Sequence, residues 1–317
     1  MGEPIHRFIE TNAITMHVVE QGEGPAVVLC HGFPELWYSW RHQIGALADA
    51  GYRVIVPDQR GYGQTDSPAS IDDYDIIHLT DDMVGLLDAL DEPDAVFVGH
   101  DWGAPVVWAL AQRAPERVRA VAGLSVPFVS RGERDPISVM EFLFEDRFFY
   151  ILYFQEPGVA DAELAADVED TLRRTYRATS SSATSDGLRV LAREGTGWRG
   201  WLPPSPTLPA WMREEDLAYY VGEFERTGFS GGLNWYRNIR RNWELSATYA
   251  NATITMPALF VAGEHDIVNQ FMSDADMAHW LTDLRASITM PATGHWIQQE
   301  RSGEVNEILL DFLSSLD

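Results

Sequence analysis

Apolar and polar positions along the chain follow two periodicities that take turns. Residues 7–10 and 14–20 alternate with the period of two that predicts strands, and Gly22-Glu23-Gly24-Pro25 is a turn after the second. Ala26-Val27-Val28-Leu29-Cys30 is a short unbroken apolar run, the pattern of a strand covered on both faces. Helical spacing then predicts helices over 40–50, 76–90 and 102–114, and between and after them lie strand-like runs at 53–56, 95–98 and 118–124. This alternation predicts an α/β fold: a mostly parallel, doubly wound sheet with helices on both faces.

Between residues 128 and 250 the rhythm stops. No strand is predicted there, only helical segments such as 161–178 and 214–226, split by a Gly/Pro-rich loop at 195–209 that holds Trp198, Trp201, Pro203, Pro204 and Pro206. Strand and helix alternation resumes with a strand at 258–262, a helix at 274–281, a strand at 287–289 and a terminal helix at 304–316. The expected organisation is one α/β core, residues 1–127 and 251–317, interrupted by a helical cap over 128–250.

Composition narrows the function. The 317 residues carry 48 acidic against 23 basic side chains, a formal net charge of −25. Such a chain is repelled by phosphate backbones and anionic lipid, so nucleic-acid binding is not expected. Every basic residue is arginine, which excludes a lysine Schiff base and a P-loop. The single Cys30 can form no internal disulfide, and no apolar run approaches the ~18 residues of a membrane span. Met1-Gly2-Glu3 has acid where a signal peptide needs basic charge, so a cytoplasmic protein without membrane insertion is expected.

The chemistry enters at Gly99-His100-Asp101-Trp102-Gly103. It follows an apolar strand and opens a helix, the setting of a nucleophile elbow G-x-Nu-x-G. Aspartate in the central place is informative. A serine that attacked a saturated carbon would be left as a stable ether, whereas aspartate is left as an ester that activated water can hydrolyse. This points away from esterases and towards epoxide opening or dehalogenation.

The second step needs a base and an acid to orient it. His295, in Gly294-His295-Trp296, is the candidate base, with an imidazole expected to be largely neutral at pH 7. Asp266 is the candidate acid, with Glu264 as competitor, and the chain order Asp101, Asp266, His295 is that of the α/β-hydrolase arrangement. Ser125 stands where some relatives carry their acid, which serine cannot replace. The backbone N–H groups of Trp102 and Phe33 are the candidate oxyanion hole, since Pro34 has no N–H. His31, His100 and Cys30 read as structural.

The chain resembles the α/β-hydrolase-fold epoxide hydrolases of the soluble-type branch. The resemblance rests on His31-Gly32-Phe33-Pro34-Glu35, Asp58-Gln59-Arg60-Gly61-Tyr62-Gly63, the Asp101 elbow, Tyr153-Phe154-Gln155-Glu156-Pro157-Gly158, Asn234-Trp235-Tyr236-Arg237-Asn238 and Gly294-His295-Trp296. It implies a cofactor-independent enzyme that takes a small-molecule epoxide and water to a vicinal diol. Cap tyrosines Tyr153 and Tyr236 would hold the epoxide oxygen, and Phe33, Trp102 and Trp235 would line the pocket. The residues alone leave Tyr150, Tyr219 and Tyr220 as equals of those two. A haloalkane or haloacid dehalogenase is the enzyme alternative, and a non-catalytic ligand-binding member of the fold is the other. A homodimer stays open.

Overall fold

The computed structural model describes residues 2–181 and 196–316. The first residue of the loop expected at 195–209 lies outside them. Eight strands form one sheet: β1 (Ile5–Thr11), β2 (Ile14–Gln21), β3 (Ala26–Cys30), β4 (Arg53–Pro57), β5 (Ala95–His100), β6 (Val118–Leu124), β7 (Ala258–Gly263) and β8 (Leu284–Met290). Their order is β1-β2-β4-β3-β5-β6-β7-β8. β1 and β2 join through the two-residue turn Asn12-Ala13, both with positive φ, and pair antiparallel from Thr11↔Ile14 outward. β2 also runs antiparallel to β4, and from β4 to β8 every pairing is parallel.

Alternate residues of the central strands feed two cores. Val27, Leu29, Val96 and Val98 pack under α1 (Arg41–Asp49), while Val28, Cys30 and Phe97 face α2 (Ile76–Ala89) and α3 (Gly103–Arg113) on the other side. Both layers are needed because β3 and β5 are buried along their whole length.

Between β6 and β7 the described residues contain helices only. They are α4 (Pro136–Leu143), α5 (Tyr150–Tyr153), α6 (Val159–Ala165), α7 (Val168–Ala178), α8 (Trp198–Trp201), α9 (Glu214–Thr227), α10 (Ser230–Arg237) and α11 (Ile239–Leu245). The single helix expected over 161–178 is two. Asp167 leaves helical geometry at φ −158° and its carboxylate accepts the Asp170 N–H, so it caps α7 instead of continuing α6. The loop expected at 195–209 contains a buried helical turn, α8, packed by Trp198 and Trp201.

After β7 come α12 (Met277–Trp280), α13 (Ile297–Glu300) and α14 (Ser302–Ser314), the last packed with α1 against the second core. The helix expected over 274–281 is only α12. Upstream, the Ala275 N–H is taken by the Ser273 hydroxyl, a local bond that competes with the helical one. Among the described residues no helix is long and apolar enough to cross a membrane.

Candidate active site

The site lies at the C-terminal ends of the strands. Asp101 sits at φ 49° between β5 and α3, a left-handed geometry that turns its side chain out of the sheet. Gly99 and Gly103 make that turn sterically feasible. A Cβ on Gly99 would collide with the Gly103 backbone, and one on Gly103 with the Cys30 carbonyl.

His295 Nε2 lies 3.3 Å from Asp101 Oδ2, and its Nδ1 is 2.9 Å from both carboxylate oxygens of Asp266. Asp266 follows β7, and its Oδ1 also accepts the Val268 N–H at 2.9 Å, which fixes its orientation. The competitor Glu264 is exposed and caps the Ala292 N–H instead. Ser125 supports the loop that carries His295: its hydroxyl donates to the His295 carbonyl at 2.7 Å. His100 Nε2 lies 2.8 Å from the same carbonyl, and its Nδ1 pairs with buried Glu35 at 2.7 Å.

The electrostatics bear on the expectation of a largely neutral His295. Burial pulls the His295 pKa down, but the charge of Asp266, and then Asp101 by hydrogen bond and charge, hold it well above its ordinary value. The two carboxylates thus favour the protonated imidazole over the neutral one. The Phe33 N–H, a candidate oxyanion donor, is given to Asp101 Oδ1 at 2.7 Å. A Cβ on Gly32 would run into both that oxygen and the Trp102 nitrogen, so the two candidate donors lie beside the Asp101 carboxylate.

The tyrosines are arranged differently from the expectation. Tyr236 lies near Asp101, its ring edge-on to Phe33 at 5.5 Å and to Trp102 at 5.1 Å. Tyr153 does not join it: its hydroxyl donates to Glu163 at 2.5 Å, within the helical segment. The ring beside Tyr236 is Tyr150, 5.9 Å away and stacked on Trp201 at 5.6 Å. Burial and then the Asp101 charge raise the phenol pKa of both Tyr150 and Tyr236, whereas for Tyr153 the causes after burial are the Glu163 hydrogen bond and charge. Both phenols are thus neutral donors near Asp101. Tyr219 accepts from the Trp37 indole and Tyr220 pairs with Ser39, so neither competes.

Trp235 is also displaced from its expected place. It has no accessible surface, its indole donates to the Arg60 carbonyl at 3.2 Å, and its ring backs Trp102 at 6.0 Å. It backs Trp102 from behind, while Phe33 and Trp102 stand beside Asp101. Sequence reasoning missed Tyr150 because Tyr150 and Tyr153 are three residues apart on one short helix, and the motif does not say which of them faces inward.

Residues 25–302 match the alpha/beta hydrolase fold family model. The chain is 50% identical to Epoxide hydrolase A of Mycobacterium tuberculosis over all of this chain and 99% of that protein. It is 42% identical to Bifunctional epoxide hydrolase 2 of Sus scrofa over 95% of this chain, spanning 54% of that longer protein. Among solved structures, Epoxide Hydrolase A from Mycobacterium thermoresistibile superposes with a TM-score of 0.96 at 51% identity, covering 99% of both chains.

Proposed function

The chain belongs to the α/β-hydrolase-fold epoxide hydrolases, and from that premise we propose that it hydrates an epoxide to a vicinal diol in two steps through an ester on Asp101. The Asp101 carboxylate attacks a ring carbon and the C–O bond breaks. The leaving oxygen takes its proton from the phenols of Tyr150 and Tyr236, whose high pKa keeps them protonated until an alkoxide forms. Tyr153 is the anchor of its own helix in this scheme.

Ester formation removes the Asp101 charge, which was one of the causes holding the His295 pKa up. The imidazolium then gives up its proton, restoring the one the phenol lost, and becomes a base. Neutral His295, oriented by Asp266, removes a proton from water as that water attacks the ester carbonyl. The resulting oxyanion is met by the N–H groups of Phe33 and Trp102. Its collapse releases the diol and leaves the carboxylate and imidazolium as they began, so the cycle needs only epoxide and water.

The observation that carries this reading is His295 lying between Asp101 at 3.3 Å and Asp266 at 2.9 Å, with the phenols of Tyr150 and Tyr236 packed together within the influence of the Asp101 charge. The test is His295→Gln with an aryl epoxide, which is expected to form the ester and stall. Intact mass should then show the protein plus one epoxide. An unmodified mass after complete mixing would refute the scheme, and so would solvent heavy oxygen found in the diol after a single turnover of the wild-type enzyme.

A further inference from the structure

The proposed base and the helices that cover it are joined by a carboxylate the two-step scheme does not use. Glu300 closes α13, five residues after His295, and turns back onto the loop that carries it. Its Oε2 accepts the Gly294 N–H at 3.2 Å and its Oε1 the Trp296 N–H at 3.2 Å, one on each side of His295. Oε2 also accepts the Ser181 N–H at 3.0 Å, from the chain just beyond α7. Hydrogen bonds to an ionised acceptor are about twice as strong as neutral ones, so three of them make a firm clamp.

The same two segments meet in other ways. The His295 N–H donates to the Thr179 carbonyl at 2.9 Å, and the Trp296 indole to the Thr179 hydroxyl at 2.8 Å. At Gly294 a Cβ would be driven into the Ser181 nitrogen and the Ser180 carbonyl carbon, so only glycine lets the two chains lie this close. The loop holding the base is therefore fixed from two sides: to the core by Ser125 and His100 through its carbonyl, and to the end of α7 by Glu300.

We infer that Glu300 is a positioning residue for the hydrolysis half-reaction, holding His295 in place by locking its loop to the end of α7. The inference rests on His295 being the base, as proposed above. Ester formation by Asp101 does not need that base, so loosening the clamp acts on one step only. A misplacement of about 1 Å can slow a step by as much as ~10²-fold.

The experiment follows formation and decay of the ester separately, by rapid quench and intact mass with an aryl epoxide, in Glu300→Ala, Glu300→Asp and Glu300→Gln. In Glu300→Ala, ester decay is expected to slow by roughly tenfold or more while formation stays within about twofold, so that ester accumulates at steady state. Glu300→Asp should restore part of the decay rate. Gly294→Ala, which pushes the two chains apart from the other side, should reproduce the selective defect. Equal slowing of both steps, or of neither, would overturn the inference. Should the alanine variant fail to fold by circular dichroism, Glu300→Gln, which keeps one acceptor oxygen, is judged by the same two rates. His295→Gln run alongside separates the two proposals. If it builds no ester, the two-step reading fails and this inference with it; if it does and the Glu300 variants do not, this inference alone fails.

Discussion

Tyr150 and Tyr153 occupy the two ends of α5, one short helix, yet they face different surroundings. Tyr150 packs beside Tyr236 within the influence of the Asp101 charge, and Tyr153 is spent on Glu163. Tyr150→Phe and Tyr236→Phe should each slow ester formation by about 10²-fold or more, as loss of a positioned proton donor does. Tyr153→Phe should change it only a few-fold, through a looser helical segment. Stopped-flow formation rates decide between them, and a Tyr153 defect as deep as that of Tyr150 would return the proton to Tyr153. The rest of the proposed triad was easier to read from residue types, because Asp101, Asp266 and His295 each follow a strand that the apolar pattern marks. The upward pull on the His295 pKa was not, since it comes from two carboxylates brought from distant parts of the chain to within hydrogen-bond range.

At the scale of elements, the strands and core helices were legible because burial on both faces leaves continuous apolar runs such as β3 and β5. The helices between β6 and β7 were harder. α10 carries Tyr236 but contains Gly231-Gly232, which lowers helix propensity, and Gly231 is there because it packs against the backbone of Gly61. The break between α6 and α7 depends on Asp167 as a cap, a role that acidic residues in a helical pattern do not announce. Asp167→Ala should cost about 1 kcal/mol in stability by urea titration, and no change would show the break to be set by packing alone. That break positions Glu163 on α6, where it accepts from Tyr153 and from the first N–H groups of α8, so it also sets where Trp201 meets Tyr150.

For the molecule as a whole, one buried network links the β3–α1 connection, the β5 strand end and the loop bearing His295. Glu35, with no accessible surface, accepts from the Gly32 N–H and from the Gln298 and Gln299 side chains and pairs with His100. Burial raises its pKa, but the charge and hydrogen bond of His100, with His31 and Gly32, bring it down from 4.5 to about 2. A carboxyl held below its unfolded value adds stability that is fully present above pH 4.5 and lost as pH falls towards 2. Urea titrations should therefore show wild type losing stability faster than Glu35→Gln as pH falls from about 4.5 to 2, and parallel curves would deny Glu35 that role. Periodicity and the order of glycines and acids along the chain were enough to determine an α/β sheet with a helical interruption and an aspartate poised at a strand end, because those depend on burial and local turn geometry. Which phenol lies near that aspartate, that Trp235 lies behind Trp102, and that Glu300 ties the His295 loop to the end of α7 were decided only by tertiary structure, because each depends on chain segments far apart in sequence meeting within a few ångströms.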